Sequence, residues 1–408
     1  MQSFKDSLFF AQFLCLMTHS WPAIFALLLD ATKAFDRVKY SKLFRCLLDK
    51  NVCPVIIRLV LNMYMLSSAL VNWNNVKSES FPINNGVKQG GVISPLFFAV
   101  YLDPLLDKLQ STKQGCYIGN TCCNAFAYAD DVILLTPTCA ALRVLIKVCE
   151  QYSRDVNLQF NTNKCVLLVF ANYDIDVNIF KIEMFNEPVP KKLCDKHLGH
   201  ILDTKGPIVK FDEIIRTMKV RTNVVTHNFH SISYKSKAKL FNSQCLALYG
   251  CPIWNLQDDN FLTLCKTWRI CCRQIMNMNS RTSSYLIPHI MDSLPIDLVV
   301  MERMLIFFVN GLNHPSKQIS GLFLNSLVSC SSYSITNVNI ILKSFGIKYC
   351  ELFNIKKNEI RKKILQKLPP VDWRCNMIKE LLCVLDGEMD NDMDYDSTKD
   401  IFNYVCTL

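Results

Sequence analysis

Three aspartates carry the clearest chemistry in this sequence. The stretch FAYADDVILLT, residues 126–136, sets Asp130 and Asp131 side by side between two runs of apolar β-formers. Taking unpaired carboxylates out of water costs on the order of several kcal/mol, so a cation should answer them. The third, Asp30, closes the apolar run AIFALLLD at residues 23–30. Alone it would read as a turn or capping residue, but it is joined by the two carboxylates of the later stretch.

Two other sets of possible ligands carry less. His197 with His200, and His227 with His230, make two H-x-x-H pairs. Neither has the H-E-x-x-H form, and along a β-hairpin alternate side chains point to opposite faces, so no zinc site is expected. The tail DNDMDYDSTKDI, residues 390–401, has Tyr395 where a calcium loop needs glycine and Ile401 where it needs glutamate. It reads as a solvated acidic tail.

The elements that must position the aspartates follow from periodicity. Residues 8–29 are long enough to span a bilayer, but Gln12, the polar Thr18-His19-Ser20 and Pro22 interrupt them. A helix before Pro22 and then a buried strand ending at Asp30 is the expectation, with no membrane partner. In the following ATKAFDRVKYSKLFRCLLDK, residues Leu43, Phe44, Leu47 and Leu48 fall on one helical face, with Asp36 or Ser41 as the cap. Between the acidic elements lie Gly86, Gly90 and Gly91, which let backbone approach a ligand. Ser94-Pro95 reads as the N-cap and first residue of an apolar helix, which Pro104 should kink.

Composition bounds the rest. A chain of 408 residues, 50% hydrophobic and 20% charged, can bury a core and suggests two or three domains. Lys+Arg 45 against Asp+Glu 35 gives a net charge of +10, a balance that suits polyanions such as nucleic acid. The 20 cysteines frame neither a small disulfide scaffold nor a zinc site, and read as reduced thiols of an intracellular protein, in nucleus and/or cytoplasm and not secreted.

The order LLLDATKAFDRV, NGVKQGGVISPLFFAVYLDPLL, AFAYADDVILLTPT, NLQFNTNKCVLLVF, KHLGHIL resembles the palm of reverse transcriptases, most closely those of non-LTR (LINE-like) retrotransposons. The match runs from about Ser7 to His200. It continues weakly through residues 239–256, which are similar to the thumb of such elements.

The resemblance implies an α+β fold: a right-hand polymerase palm, with an antiparallel sheet and packed helices, then a helical thumb and a mainly α C-terminal region. Residues 1–190 would be the palm with a remnant of the fingers, 191–260 a primer-grip hairpin and thumb, and 261–408 mainly helical. The implied activity is RNA-directed DNA polymerisation, with RNA template, DNA primer and deoxynucleoside triphosphates as partners. Asp30 and Asp130 would hold two Mg²⁺ ions, with Mn²⁺ as the alternative and Asp131 as a weaker ligand or positioner. Ala31 could add its carbonyl.

Further roles are implied residue by residue. Phe35 matches the bulky side chain under the sugar that excludes a 2′-hydroxyl, although core packing would also suit it. Gln89 and Gly90 would meet the template or the incoming nucleotide. Lys164 would protonate or neutralise the leaving pyrophosphate, against the alternative of a solvated turn lysine. His197, Leu198 and Gly199 would support the primer end. Arg216, Lys219 and Arg221, then Lys235, Lys237 and Lys239, would contact phosphates, while the run 356–367 reads equally as a solvated face. In this family basic fingers residues precede the palm, and here only some twenty residues do. The chain therefore reads as N-terminally truncated, with a catalytically silent nucleic-acid-binding remnant as the second reading.

Overall fold

The computed structural model describes residues 22–368 apart from 119, 157, 172, 174–178, 205 and 329–332, together with 376 and 381. The helix expected before Pro22 and the acidic tail at 390–401 lie outside the described residues. The chain divides into two compact units, 1–208 with 316–325, and 209–315 with 326–408. The boundary at 208/209 leaves the hairpin after residue 190 with the sheet, and the helices from 211 to 312 with the C-terminal region.

The first unit is built on a four-stranded antiparallel sheet. Strand β1 (Ala23–Leu29) lies between β3 (Asp131–Thr136) and β4 (Val166–Ala171), and β2 (Ala125–Tyr128) pairs with the outer edge of β3. Every residue from Ile24 to Leu29 is buried, which is why this strand shows no polar alternation. Residues 23–29 are thus a core strand, and no described helix is long and apolar enough to cross a membrane.

Helices cover one face. Phe25, Leu27 and Leu29 pack in one cluster with residues of α1 (Tyr40–Asp49), α2 (Pro54–Met65), α3 (Ser94–Ser111) and α4 (Cys139–Val156). Two buried tyrosines tie α3 to α4: Tyr101 donates its hydroxyl to the Val156 carbonyl at 2.7 Å, and Tyr152 donates to the Tyr101 carbonyl at 2.6 Å. Buried hydroxyls satisfied in this way fix the two helices without leaving a polar group stranded.

Several local expectations are corrected. Residues Phe35–Arg37 form a separate 3-10 turn, and α1 starts at Tyr40 with Lys39 before it and no side-chain cap, so neither Asp36 nor Ser41 caps it. Leu48 is 54% exposed, off the face that buries Leu43, Phe44 and Leu47. Ser94 is the first residue of α3, with Ile93 in the capping position; its hydroxyl is buried and makes no hydrogen bond.

After β4 the chain bridges back alongside Leu167 at Lys191 and then forms a three-stranded antiparallel sheet of β5 (Cys194–His197), β6 (His200–Asp203) and β7 (Gly206–Ile208). Leu198 and Gly199 both have positive φ, 47° and 83°, the geometry of a two-residue primed turn.

The second unit is helical in its described residues. Helix α5 (Phe211–Asn228) buries Phe211, Met218, Thr222 and Val225 and packs against α7 (Asp259–Ile275). Between them Trp254 meets Phe211 edge-on at 5.2 Å. Short α6 (Tyr234–Leu240) is capped by Ser233, whose hydroxyl accepts the Ser236 N–H. In the later run, Arg361 pairs with Glu302 and Lys363 with Glu351, so part of that charge serves the fold.

Candidate active site

The sheet brings the distant carboxylates together. Strands β1 and β3 pair Leu28 with Ile133 and Leu29 with Val132, which ends the ladder, and Asp30 and Asp131 are the residues next beyond that last pair. By alternation both point to the face away from the helices, because Leu29 and Val132 face the helical core. Asp130 lies in the two-residue turn between Tyr128 and Asp131, a cross-strand pair. The other turn residue, Ala129, has φ 50°, a conformation uncommon for a residue with a Cβ. That strain holds the turn in the form that a tight hairpin needs.

Electrostatics report the same proximity. Burial pushes the Asp131 carboxyl from 3.8 up to about 6, and the charges of Asp130 and then Asp30 add to the rise. Among the described residues no ion pair involves any of the three. No three His, Cys, Asp or Glu side chains among the described residues are gathered around one point as a ready metal cage. The donors nevertheless fit a hard divalent cation in kind: oxygen ligands, half-buried, with the Asp131 carboxyl raised by burial first and by its acidic neighbours after.

Backbone around Asp30 is fixed on its other side. Asn161 N–H donates to the Asp30 carbonyl at 2.9 Å, and Thr32 N–H donates to the Gln159 carbonyl at 2.8 Å. Ala31 is bridged to Phe160 between these two bonds, so its own carbonyl points the other way, toward the side of β3. This is the side where the Asp130–Asp131 turn lies. Asn161, in the turn before Lys164, was not singled out from sequence; its contribution is a backbone N–H, which leaves no mark in residue type. Lys164 is exposed in that turn. A cavity of about 560 Å³ opens beside this ladder, lined by Thr32, Gln159, Asn161 and neighbours, and none of the three aspartates lines it.

The glycine-rich loop docks onto the turn that follows Asp30. Gly86 N–H donates to the Val38 carbonyl and Val87 N–H to the Phe35 carbonyl, both at 2.9 Å. Gly86 has φ +89°, and a Cβ there would stand 3.0 Å from the Asp36 Cα and carbonyl oxygen. Gln89 reaches Asp36 with its Nε2 3.4 Å from Oδ1, and Gly90, φ +77°, has open space where a Cβ would stand. Phe35 is partly buried and stacks on Phe98 of α3, centroids 4.9 Å apart at 19°.

Residues 4–202 match the family described as reverse transcriptase (RNA-dependent DNA polymerase). This segment is a reverse transcriptase domain. Its relatives include the Pol polyprotein of the retrotransposable element R2DM of Drosophila melanogaster, 34% identical over 137 residues, which are 34% of this chain and 13% of that protein. The RNA-directed DNA polymerase of the Drosophila melanogaster mobile element jockey is 24% identical over 248 residues, 57% of this chain and 26% of that protein. Both are non-LTR retrotransposon polymerases. Apo telomerase from Candida tropicalis is similar in structure at a TM-score of 0.40 and 12% identity, over 90% of this chain and 57% of that one. The chain spans between an eighth and a quarter of the length of the two retrotransposon relatives. Reverse transcriptases use divalent metal ions.

The remaining expected contacts of the reverse transcriptase domain and its continuation are placed as follows. His197 and His200 face each other across the β5–β6 turn, so they share one face of the hairpin. This corrects the expectation of opposite faces: alternation holds along one strand, but the turn returns the chain in register. Burial lowers the His197 pKa to about 4, with His200 adding to the fall, and burial lowers that of His200. In the second unit Arg216 and Lys219 are exposed on α5, while Arg221 donates to the Gln244 carbonyl at 2.7 Å. Lys237 sits over the Tyr234 ring at 4.9 Å, and Lys235 is exposed on the same short helix.

Proposed function

We propose that this chain is an RNA-directed DNA polymerase that adds deoxynucleotides to a DNA primer along an RNA template. The observation that carries the reading is the set of Asp30, Asp130 and Asp131 at adjoining strand ends, mutually repelling and without an ion-pair partner among the described residues. Bound divalent ions, which we take to be Mg²⁺ with Mn²⁺ as a substitute, would lower the pKa of the attacking hydroxyl and screen charge on the leaving pyrophosphate.

In the reaction, the primer 3′-oxygen bonds to the α-phosphorus, the bond to pyrophosphate breaks, and the hydroxyl proton passes to solvent water. Asp30 and Asp130 would hold the ions, with the Ala31 carbonyl as a further oxygen donor and Asp131 as a weaker ligand or positioner. Phe35 lies under the sugar as a steric limit on the 2′ position, and Gln89 and Gly90 meet the template or the nucleotide base. Lys164 answers charge on the leaving group. The Leu198–Gly199 turn, with His197, supports the primer end, and Arg216, Lys219, Lys235 and Lys237 add sequence-independent phosphate affinity. We place the activity inside the cell, in nucleus and/or cytoplasm, where the free thiols of the described residues are suited to a reducing milieu.

The test is extension of a DNA primer on an RNA template by the purified chain with Mg²⁺ or Mn²⁺. The double change Asp130→Ala, Asp131→Ala should abolish it. Hybrid binding without extension by the unaltered chain would leave a silent nucleic-acid-binding remnant as the reading.

A further inference from the structure

The cavity of about 560 Å³ beside the backbone that fixes Asp30 is lined by groups that the proposed reaction does not use. Its volume lies within the range of small-molecule sites, about 300–1,000 Å³. Three lining groups are polar and idle: the side-chain amides of Gln159 and Asn161 and the Thr32 hydroxyl make no hydrogen bond among the described residues. They are held together by backbone, since the Thr32 N–H donates to the Gln159 carbonyl at 2.8 Å. The Ser153 and Thr162 hydroxyls, also in the lining, are taken up by the Leu158 and Met184 carbonyls.

A further lining residue is strained. Phe185 holds φ at 53° and Asn186 at 64°, in the two-residue turn between Glu183–Met184 and Glu187–Pro188. Such turns favour Asn and Gly, and a bulky aromatic residue in the left-handed region is an outlier. Its N–H is anchored on the Glu150 carboxylate at 2.6 Å. Strain that the surroundings hold in this way gathers at ligand sites. Two exposed charges complete the lining: Arg154, whose ion pair with Glu150 is 4.0 Å long, and Glu187, in no ion pair among the described residues.

We propose that this cavity binds a nucleotide, with the base inward. An aromatic side chain offers a stacking face to any base. A carboxamide carries a donor and an acceptor side by side and pairs with base edges. The Arg154 guanidinium suits a phosphate, and the Glu187 carboxylate can accept from sugar hydroxyls. Because the two charges are opposite, a bare anion gains little here. A purely apolar ligand would strand the idle amides away from water. The same chemistry has two sources, a free nucleotide or a base splayed out of a single strand. None of the three aspartates lines the cavity, so the site is separate from theirs and the inference does not depend on the polymerase reading.

The test is equilibrium dialysis of the full chain against AMP, GMP, CMP and UMP in EDTA, at up to about 5 mM, with ribose 5-phosphate and inorganic phosphate as controls. Chelator and monophosphates together keep a divalent-ion site silent. The expected result is one site per chain for at least one monophosphate, with a dissociation constant below about 1 mM and both controls about tenfold weaker or more. Gln159→Ala and Arg154→Ala should each weaken binding about fivefold or more. Both side chains are exposed, so circular dichroism should stay unchanged. The double change Asp130→Ala, Asp131→Ala should leave binding intact. Short single-stranded RNA that competes better than its free mononucleotide would assign the site to a strand, and weaker competition would assign it to the free nucleotide; either supports the site. The inference is overturned if no monophosphate binds at 5 mM or if the controls bind as well as the nucleotides. It is equally overturned if Gln159→Ala leaves binding whole or the double aspartate change abolishes it.

Discussion

Asp30 and Asp131 lie one residue beyond the Leu29–Val132 pair that ends the β1–β3 ladder, near enough that the Asp30 charge adds to the rise of the Asp131 pKa. Burial is the main cost of ionising Asp131, and the charges of Asp130 and then Asp30 add to it. The site is therefore built against the stability of the metal-free protein, and its pH dependence has a definite sign.

Below pH 3.8 Asp131 is neutral in both folded and unfolded chains; between 3.8 and about 6 it ionises only on unfolding; above about 6 the folded state bears the full charge. Stability should thus fall as pH rises through this window. In chelator, Asp131→Asn should stabilise the protein by on the order of 1–2 kcal/mol at pH 7.5 and by little at pH 3.5, a shift discounted for partial solvent screening. Urea denaturation of both proteins at the two pH values measures it. Equal effects at both would contradict the linkage.

A divalent ion should reverse that penalty. Added Mg²⁺ or Mn²⁺ should stabilise the unaltered chain by about 2.7 kcal/mol at a hundred times the dissociation constant, read as a higher urea midpoint. Asp30→Asn should lose most of this response, although Asp30 comes from a different strand than Asp130 and Asp131. An undiminished response would place the ion elsewhere.

The loop after Asp30 depends on a glycine for a stated reason. Gly86→Ala meets both a positive φ and the Asp36 backbone at 3.0 Å, whereas Gly90→Ala meets a positive φ in open space. The first should cost on the order of 2–3 kcal/mol and the second about 1 kcal/mol. Chemical denaturation ranks them, and an equal cost would show that the Asp36 contact yields easily.

Phe35 has two duties that one substitution can separate. Phe35→Val removes the stack on Phe98 and should cost about 1–2 kcal/mol of stability. Under the proposed function it should also raise ribonucleotide use relative to deoxynucleotide use by at least tenfold. The ratio of kcat/KM for the two sugars is the readout; loss of stability with no change in that ratio would make Phe35 a core residue alone.

Phosphate contacts should show in the salt dependence of RNA–DNA hybrid binding. Arg216→Ala and Lys219→Ala should each lower the slope of log K against log salt by about one and leave stability unchanged. Arg221→Ala should destabilise instead, since its guanidinium is bound to the Gln244 carbonyl.

How much of this was legible in sequence depended on range. The apolar run before Asp30 and the paired aspartates between β-formers are local patterns, and both elements form where they are read. The face shared by Asp30 and Asp131 is not local, because it rests on a register across a hundred residues. His197 and His200 were misread because strand periodicity was carried through a turn that reverses the chain. Capping by Asp36 or Ser41 failed because an unforeseen 3-10 turn at Phe35–Arg37 moved the start of α1. Leu48 shows the limit of helical spacing, since four apolar positions overran the width of the buried face.

The most direct test of the central claim is primer extension by variants that alter one carboxylate at the end of β1 and one in the β2–β3 turn. Asp30→Asn and Asp130→Asn, each compared with the unaltered chain on an RNA template with a DNA primer and Mg²⁺, should each lose about a thousandfold or more in rate, at unchanged hybrid affinity. If either variant extends at near the original rate, the two strands do not share one catalytic site, and if the unaltered chain extends nothing, the polymerase reading of this chain fails.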